Sequence, residues 1–313
     1  MTSGTQRRGP VVVVGGANMD VLARTSAILA GETSNPGRTL FTPGGVGRNL
    51  AENLARWSVP VRLVSKVGDD SLGRELLTRT AAAGVDVSLV TRLPGAATGT
   101  YVAVIAHTGD LVVAISDMSI TEAITPADIE RLADALADAQ LVMVDANLLP
   151  AALGRLLDVC AEASVPVIVE PVSVPKAARL SGVLWPGRPI HTLTPNLAEL
   201  QAMTGVADPS TAAQLLRERG VQRVWCHRTA GSTLYNAYGA QTVRVDTTEA
   251  MDVTGAGDAL VAAYAAALLR RVSIVEAVRF GHRAAALTVQ SDQTVRSDLA
   301  SLCPLPDDPI AAH

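Results

Sequence analysis

The sequence has few residues of the kinds that build disulfide frameworks, zinc sites or base-stacking surfaces. It has three cysteines, Cys160, Cys226 and Cys303, and no C-x-x-C pair. We therefore expect neither a zinc site nor a disulfide framework, and we interpret each cysteine as a small buried side chain in a reducing cytoplasm. Aromatic residues make up 3% of the chain and the formal net charge is −4. Both values argue against a general nucleic-acid-binding protein, which needs a basic surface and stacking side chains.

Long apolar runs and lysines are also scarce. No stretch approaches the ~20 apolar residues of a membrane span, and the first ten residues, MTSGTQRRGP, lack the apolar region of a signal peptide. We expect a cytoplasmic protein that does not contact a membrane. Lys66 and Lys176 are the only lysines, and neither follows a glycine, which excludes the Walker A sequence G-x-x-x-x-G-K-[ST]. Any phosphate group must therefore be bound by a structural feature other than a Walker A loop.

Hydrophobic residues make up 48% of the sequence and form short β-branched runs that alternate with helical stretches. This alternation is typical of a parallel sheet covered by helices on both faces. We predict one domain over residues 11–302, between a disordered tail at 1–10 and a C-terminal tail at 303–313, with no appended domain. Strands are predicted at 11–14, 61–64, 141–144, 165–169, 190–193 and 221–226, and helices at 47–57, near 126–139, and at 151–163, 196–204, 211–219 and 273–289.

Two segments depart from this alternation. Residues 31–42 are rich in Gly, Pro, Ser and Thr. Residues 98–116 contain two extended runs around the turn H-T-G-D, which indicates a hairpin. Together with the extended run at 17–22, these segments predict a small separate sheet that forms a lid over one edge of the main domain.

The segment D-V-T-G-A-G-D at 252–258 precedes an almost wholly apolar helix. Free amides and the positive dipole end at a helix N-terminus bind anions, and glycines let a phosphate approach the backbone closely. Asp258, in the first turn, is positioned to accept a proton from an attacking hydroxyl, which phosphoryl transfer also requires. An acidic residue in a first turn is also an ordinary cap. The two acids that bracket the glycines favour phosphate chemistry.

The segment P-G-G-V-G-R-N at 43–49 is a second glycine-rich turn into a helix. It does not match the dinucleotide-binding motif G-x-G-x-x-G, because Leu50 stands at the position of the third glycine. The glycines after residue 254 do not match it either, because Leu260 stands at that position. Both mismatches argue against a Rossmann dehydrogenase. The glycines and Asn49 instead fit a polyhydroxylated ligand.

Two polar pairs complete the candidate residues. Asn18 and Asp20 share one face of an extended segment and could grip two vicinal hydroxyls, although a local turn also explains them. Asn196 and Glu199 meet on the first turn of a helix, where they could position water-bound Mg²⁺ or form a plain N-cap.

The segments 44–49 and 252–258, together with N-L-A-E at 196–199, resemble the signature motifs of the ribokinase-like (PfkB) family of sugar and nucleoside kinases, over about residues 11–296. The resemblance implies a three-layer α/β/α domain with a mainly parallel central sheet and a small β-sheet lid. It also implies ATP-dependent phosphorylation of a primary hydroxyl. Asp258 would be the catalytic base, and Gly255, Ala256 and Gly257 the anion hole. Val253 stands where many relatives carry threonine, and we expect no loss of chemistry from it.

The resemblance also implies a sugar site, a nucleotide site and two cation sites. Glu199 would hold Mg²⁺ through water, and Asp252 and Thr254 would bind a monovalent cation such as K⁺. The residues assigned to the sugar are Asn18, Asp20, Gly44, Gly45, Asn49 and Thr100. Those assigned to ATP are Asn196, Glu199, Arg228, Thr229, Gly231, Thr254 and His282.

Within the family, residues 34–37, 42–49, 98–118 and 170–173, with Lys176, look like the pseudouridine kinase subgroup. The base of that substrate exposes an extra ring N–H, and a selective site would meet it with an acceptor. Ser116, Asp117 and Lys176 are the candidates near the base, although for Lys176 a solvated surface lysine is the favoured explanation. The alternatives are a ribokinase, a cytidine, uridine or adenosine kinase of the same family, and an inactive nucleoside-binding protein. The apolar lid hairpin predicts a homodimer formed through the lid.

Overall fold

The computed structural model describes residues 9–228, 231–244, 255–291 and 293–307. Its strands, numbered along the chain, are β1 (Val11–Val14), β2 (Asn18–Thr25), β3 (Gly37–Gly44), β4 (Val61–Val64), β5 (Lys66–Gly68), β6 (Thr91–Leu93), β7 (Thr100–Ile105), β8 (Leu111–Asp117), β9 (Leu141–Asp145), β10 (Val167–Glu170), β11 (Thr192–Leu193), β12 (Val224–Arg228), β13 (Gly231–Asn236) and β14 (Gly239–Arg244). Its helices are α1 (Val46–Arg56), α2 (Ser71–Ala82), α3 (Ser119–Glu122), α4 (Pro126–Arg131), α5 (Ala133–Ala137), α6 (Pro150–Glu162), α7 (Val174–Leu180), α8 (Leu197–Thr204), α9 (Pro209–Glu218), α10 (Ala256–Leu269), α11 (Ile274–Val289) and α12 (Leu299–Leu302).

Eight of these strands form the central sheet, in the order β14-β13-β12-β11-β10-β9-β1-β4. The strands from β12 to β4 pair in parallel, and β13 and β14 add an antiparallel hairpin at one edge. β1 is continuously apolar because both of its faces are buried: Val11 and Val13 belong to one hydrophobic cluster, and Val12 and Val14 to the other. The predicted three-layer α/β/α fold with a mainly parallel sheet is confirmed.

Helix α10 lies between α1 and α11 on one face of the sheet. Every residue from Ala259 to Ala267 is buried, as expected for a helix that is apolar on all sides. This burial fixes the N-terminal turn of α10, and with it Asp258, relative to the sheet. Helix α11 begins with the predicted capping box, formed by Ser273 and Glu276.

The other face of the sheet is covered mainly by α4, α6, α8 and α9, whose apolar side chains form the second cluster. The helix predicted near 126–139 is divided into α4 and α5 at Leu132, whose φ of −100° and ψ of 6° interrupt the helix. The strands predicted at 190–193 and 221–226 begin later than expected, because Ile190 and Val221 form only an isolated bridge.

A second sheet, in the order β3-β2-β7-β8, is separate from the first, and we call it the lid sheet. β7 and β8 form a hairpin with Gly109 in its turn at φ 101°. β3 begins at Gly37, later than the segment at 31–42 indicated, because the side chain of Asn35 bonds the backbone of Ala30 and closes a turn there. β5 and β6 form a third sheet of two short strands that the sequence pattern did not predict.

Among the helices of the described ranges, none combines the length and the apolar character that crossing a membrane requires.

Candidate active site

The candidate site lies at the carboxyl ends of the parallel strands, where open α/β sheets bind ligands. β1 is followed by Gly15 and Gly16, β9 ends at Asp145, and β10 ends at Glu170. Helices α1 and α10 begin at the same edge of the sheet. Polar residues distant in the sequence therefore meet at one place.

The clearest contact of the site joins α1 to α10. Asn49 Nδ2 donates a hydrogen bond to Asp258 Oδ2 across 2.7 Å. Both residues lie in the first turns of their helices. The structure thus brings together the candidate base and a candidate sugar-binding residue.

The surroundings of Asp258 suit a proton acceptor near neutral pH. Burial raises the pKa of Asp258 to about 7, and the nearby carboxylates of Asp145 and Asp20 add to the rise. The hydrogen bond from Asn49 and the positive charge of Arg48 act in the opposite direction. A base with this pKa exchanges protons readily at neutral pH.

The turn before Asp258 requires glycine at one position. Gly255 caps α10 with a φ of 101°, and a Cβ added there would lie 2.1 Å from the carbonyl oxygen of Thr294. Ala259 N–H donates to the carbonyl oxygen of Gly255, and the amides of Ala256, Gly257 and Asp258 are among those that an α-helix leaves without internal partners. This arrangement can hold an anion at the N-terminus of α10.

Arg48 fixes the orientation of the Asn49 amide, a role that the sequence did not suggest. Its Nε and Nη2 atoms both donate to Asn49 Oδ1, across 3.1 and 2.7 Å. Its Nη1 atom forms a 2.7 Å ion pair with Glu52, one turn along α1. Because Oδ1 is engaged by Arg48, the Nδ2 atom of Asn49 faces Asp258.

Asn18 and Asp20 form a buried pair on β2, beside the glycines of the second motif. Asn18 Nδ2 donates to Asp20 Oδ1 across 2.7 Å, while Asn18 Oδ1 is buried without a partner among the described residues. A Cβ at Gly44 would lie 2.4 Å from the Asp20 carboxylate, and one at Gly45, whose φ is 98°, would lie 2.5 Å from the carbonyl oxygen of Gly16. Burial raises the pKa of Asp20 to about 6. The pair leaves one acceptor free for a ligand hydroxyl.

Asp145 is a further residue that sequence reasoning missed, and it joins two strands to a helix. Its Oδ2 atom accepts hydrogen bonds from the amides of Gly16 and Gly47, both across 2.8 Å. Its Oδ1 atom accepts one from the amide of Asn147 across 3.0 Å. The available signal was the D-A-N sequence directly after a buried strand. Asp145 holds the two glycine turns together and adds negative charge beside Asp258.

Asn196 and Glu199 form a complete capping box at the start of α8. Asn196 Oδ1 accepts from the amide of Glu199 across 3.0 Å, and Glu199 Oε2 accepts from the amide of Asn196 across 2.9 Å. The N-cap interpretation of this pair is therefore realised. Burial raises the pKa of Glu199, and its other carboxylate oxygen is not used by the box.

Glu170, at the end of β10, is a further carboxylate at this edge and is partly buried. It accepts hydrogen bonds from the Thr194 hydroxyl and from the amide of Val172. Burial raises its pKa well above the usual range, and the carboxylates of Glu199 and Asp258 contribute to the rise. The sequence analysis left Glu170 without a role.

The donor set of Glu170 and Glu199 suits a hard cation such as Mg²⁺, because crowded buried carboxylates gain most from a neighbouring positive charge. Within the described ranges, no three His, Cys, Asp or Glu side chains form a ready metal cage. Magnesium commonly keeps several waters and binds one or two carboxylates together with substrate phosphates. The residues present therefore fit an ion held largely through water.

Lys176 reaches the site from α7, and its ammonium donates a hydrogen bond to Asn147 Oδ1. Burial lowers its pKa, against the opposite effect of Asp145. Lys176 is thus partly buried, unlike a solvated surface lysine. Asp117, another candidate for contact with the base, does not bond Lys176. Its Oδ1 atom accepts a hydrogen bond from the Ser119 hydroxyl across 2.7 Å.

The remaining lid candidates lie at the ends of β7 and β8. Thr100 pairs with Met19 of β2 and with Asp117 of β8, and Ser116 pairs with Tyr101. Thr100 is therefore a strand neighbour of the Asn18 and Asp20 segment.

The remaining nucleotide candidates lie on the side of the central sheet that carries the hairpin of β13 and β14. Arg228 and Gly231 pair where β12 meets β13. His282 Nε2 lies 2.8 Å from Ser232 Oγ, which also accepts from Trp225 Nε1. Burial lowers the pKa of His282 to about 4, so its ring is neutral at physiological pH. Thr229, Asp252 and Thr254 lie outside the described residues.

Comparisons with known proteins agree with this fold. The profile of the family described as "pfkB family carbohydrate kinase" matches residues 9–300. The chain is similar to a pseudouridine kinase of Escherichia coli, with 34% identity over 93% of each chain. It is also similar to the structure of a carbohydrate kinase from Agrobacterium tumefaciens, with a TM-score of 0.82, 30% identity and coverage of 94% of this chain and 96% of the other. The fold of an Arabidopsis thaliana ribokinase complexed with ribose and ATP matches with a TM-score of 0.77 at 24% identity, over 95% of this chain and 99% of that one.

Proposed function

Because the chain belongs to the pfkB family of carbohydrate kinases and is therefore a phosphotransferase with an alcohol acceptor, we propose that it transfers the γ-phosphoryl group of ATP to the 5′-hydroxyl of pseudouridine. The products are pseudouridine 5′-phosphate and ADP. The observation that carries the reaction type is the hydrogen bond from Asn49 to Asp258 at the N-terminus of α10. The similarity to a pseudouridine kinase supports the choice of substrate.

In the proposed reaction, Asp258 acts as the general base. Its carboxylate accepts the proton of the 5′-hydroxyl while the hydroxyl oxygen forms a bond to the γ-phosphorus and the bond from that phosphorus to ADP breaks. The amides of Gly255, Ala256 and Gly257 stabilise the charge on the transferred group. Asn18, Asp20, Gly44, Gly45, Asn49 and Thr100 hold the ribose, and the free acceptor on Asn18 supports this assignment.

Glu199 and Glu170 are proposed to hold Mg²⁺ through water, with Asn196 beside them. When bound, this ion neutralises charge on the phosphates. The crowding of buried carboxylates at this position supports the assignment. Arg228, Thr229, Gly231, Thr254 and His282 are proposed for the rest of the nucleotide, and Asp252 and Thr254 for a monovalent cation such as K⁺.

Recognition of the base is proposed for Ser116, Asp117 and Lys176. The carbon-linked uracil of pseudouridine exposes an extra ring N–H, for which a carboxylate or hydroxyl oxygen is an acceptor. Lys176 would donate to a ring carbonyl, and its hydrogen bond to Asn147 holds the ammonium in one orientation. A ribokinase or another nucleoside kinase would use the same base and anion hole, so only the acceptor preference separates them.

A homodimer formed through the lid sheet, in the cytoplasm, completes the proposal. Leu40, Phe41, Val113 and Ile115 expose about half or more of their surface on this sheet. The three cysteines are buried and none of them is in a disulfide, which suits a reducing compartment. Light scattering tests the dimer, and a monomer at micromolar concentration would contradict it.

The reaction itself is tested by identifying its product. Purified protein is incubated with Mg-ATP and pseudouridine, and the product is examined by ³¹P NMR. A phosphomonoester coupled to the two 5′-methylene protons is expected. A phosphate on a secondary hydroxyl, or no phosphoester, would contradict the proposal.

A further inference from the structure

A cavity of about 420 Å³ lies between α1, α2, the lid strand β3 and the segment 293–297. Its lining contains none of the carboxylates that meet at the edge of the sheet and none of the residues assigned to the sugar, the nucleotide or a cation. Three guanidinium groups line it, those of Arg48, Arg56 and Arg79, together with one carboxylate, that of Glu52. The lining therefore carries two more positive charges than negative ones.

Glu52 already pairs with two of these arginines. It accepts from Arg48 Nη1 and from Arg56 Nη2, each across 2.7 Å. The side chains of Arg48 and Glu52 are 3% and 9% exposed, so this charge cluster is largely withdrawn from water. One carboxylate shared by the buried guanidinium group of Arg48 and the partly buried one of Arg56 leaves donors unused.

One of the unused donors can be identified. Arg56 Nε is buried and has no hydrogen-bond partner among the described residues. A buried donor without a partner is costly, and a ligand that accepts from it recovers that cost. Arg79, from α2, has a half-exposed side chain whose Nη1 atom donates to the backbone oxygen of Phe41 in the lid sheet and lies 4.0 Å from Glu75 Oε1.

The uncharged lining also suits an anion that carries oxygen atoms. Thr42, Gln293, Thr294 and Ser297 contribute hydroxyl and amide groups that can donate to such a ligand. We infer that this cavity is a binding site for a phosphate dianion, either free or carried on a small polar molecule. A phosphate matches the excess of two positive charges, and guanidinium groups are the side chains that bind phosphate most specifically.

The site is connected to the candidate active site through Arg48, whose Nε and Nη2 atoms hold Asn49, the partner of Asp258. A second link runs through Thr294, whose carbonyl oxygen lies against Gly255. An anion bound here is therefore two hydrogen-bonded residues away from the base.

The test is isothermal titration calorimetry of the full chain with inorganic phosphate, carried out in the absence of nucleotide and again with a saturating non-hydrolysable ATP analogue. Binding that persists with the analogue is expected, because the cavity is not the nucleotide site. Arg79→Gln, and Arg56→Gln with Arg79→Gln, should weaken it by about tenfold or more, because each removes a charge-assisted donor. Arg74→Gln, on the same helix as Arg79 but outside the cavity, should leave it unchanged.

Three results would overturn the inference: no saturable binding, binding that the analogue abolishes, and binding that the arginine substitutions leave unchanged. Thermal melts of the variants separate lost binding from lost folding, and the single Arg79→Gln variant, at a half-exposed position, keeps the test valid if the double variant unfolds. A parallel titration with ribose 5-phosphate distinguishes the sources: tighter binding than that of inorganic phosphate identifies an organic phosphate. The arginine dependence can be measured whether or not the chain phosphorylates pseudouridine.

Discussion

Asn49 and Asp258 are 209 residues apart in the sequence, and their side chains are joined by a 2.7 Å hydrogen bond. The bond connects the glycine-rich turn before α1 to the glycine-rich turn before α10. Asn49 is itself held by Arg48, so the carboxylate of Asp258 has one preferred orientation. The first two predictions test this relationship.

Asp258→Asn should reduce kcat by ~10²–10⁴, the usual contribution of a general base, while the binding of nucleoside and ATP stays nearly intact. Steady-state kinetics and calorimetry measure the two effects. The amide can still accept a hydrogen bond from Asn49 through its oxygen. Turnover close to that of the wild type would show that Asp258 is not the base.

The melting temperature provides a folding control for the same variant. The pKa of Asp258 is about 7 in the folded protein and 3.8 in the absence of the fold, so its ionisation destabilises the folded state. This cost is absent below about pH 4, grows as pH rises and is complete above about pH 7. The variant should therefore melt no lower than the wild type at pH 8, and any advantage should shrink at acidic pH.

The pH dependence of kcat/KM should follow the deprotonation of Asp258. Activity should rise with pH and level off above a midpoint near 7, because only the carboxylate can accept the proton. Asn49→Ala removes a hydrogen bond that lowers this pKa, so the midpoint should move to higher pH. Asp20→Asn removes a neighbouring negative charge and should move it to lower pH. A midpoint that neither substitution moves would assign the profile to another group.

The role of Glu199 in holding magnesium can be separated from its role as a helix cap. Glu199→Gln should raise the Mg²⁺ concentration needed for half-maximal activity by about tenfold or more. Glu276→Gln changes the same position of an equivalent capping box in α11, at an exposed position, and is the matched control. Equal magnesium dependence in both variants would show that Glu199 acts only as a helix cap and does not hold the ion.

Lys176 should affect the recognition of the base and not the chemistry. Lys176→Gln should raise KM for pseudouridine by about tenfold, through the loss of a charged donor, with little change in kcat. Arg179→Gln is a control on the same helix, because Arg179 pairs with Glu122 at the surface. A loss confined to kcat, or one equal in both variants, would contradict the assignment.

The sequence predicted the parts of the fold in which local pattern and burial agree. Runs such as Val11–Val14 are apolar at every position because both faces of a central strand are covered. Such a run can be recognised from the sequence alone. The hairpin of β13 and β14 was missed because its edge position leaves β14 mostly exposed and without a clear apolar pattern. The short strands β5 and β6 have three residues each, too few for a period to show.

The motifs around Asn49 and Asp258 could be found in the sequence, whereas the groups that hold them could not. Asp145 bonds the amides of Gly16 and Gly47, which are 129 and 98 residues away, and no local spacing encodes such contacts. Arg48 lies next to Asn49 in the motif, but its bidentate contact depends on the side-chain orientation that Glu52 imposes. These residues become visible only when the carboxyl ends of the strands are brought together.

The most direct test of the account is the release of ADP from Mg-ATP with pseudouridine, uridine, cytidine, adenosine and ribose as separate acceptors. We predict strong turnover with pseudouridine and little with the other four. Preference for another acceptor would retain the kinase and contradict the proposed substrate. The absence of turnover with every acceptor would contradict the account as a whole and favour a nucleoside-binding protein without activity.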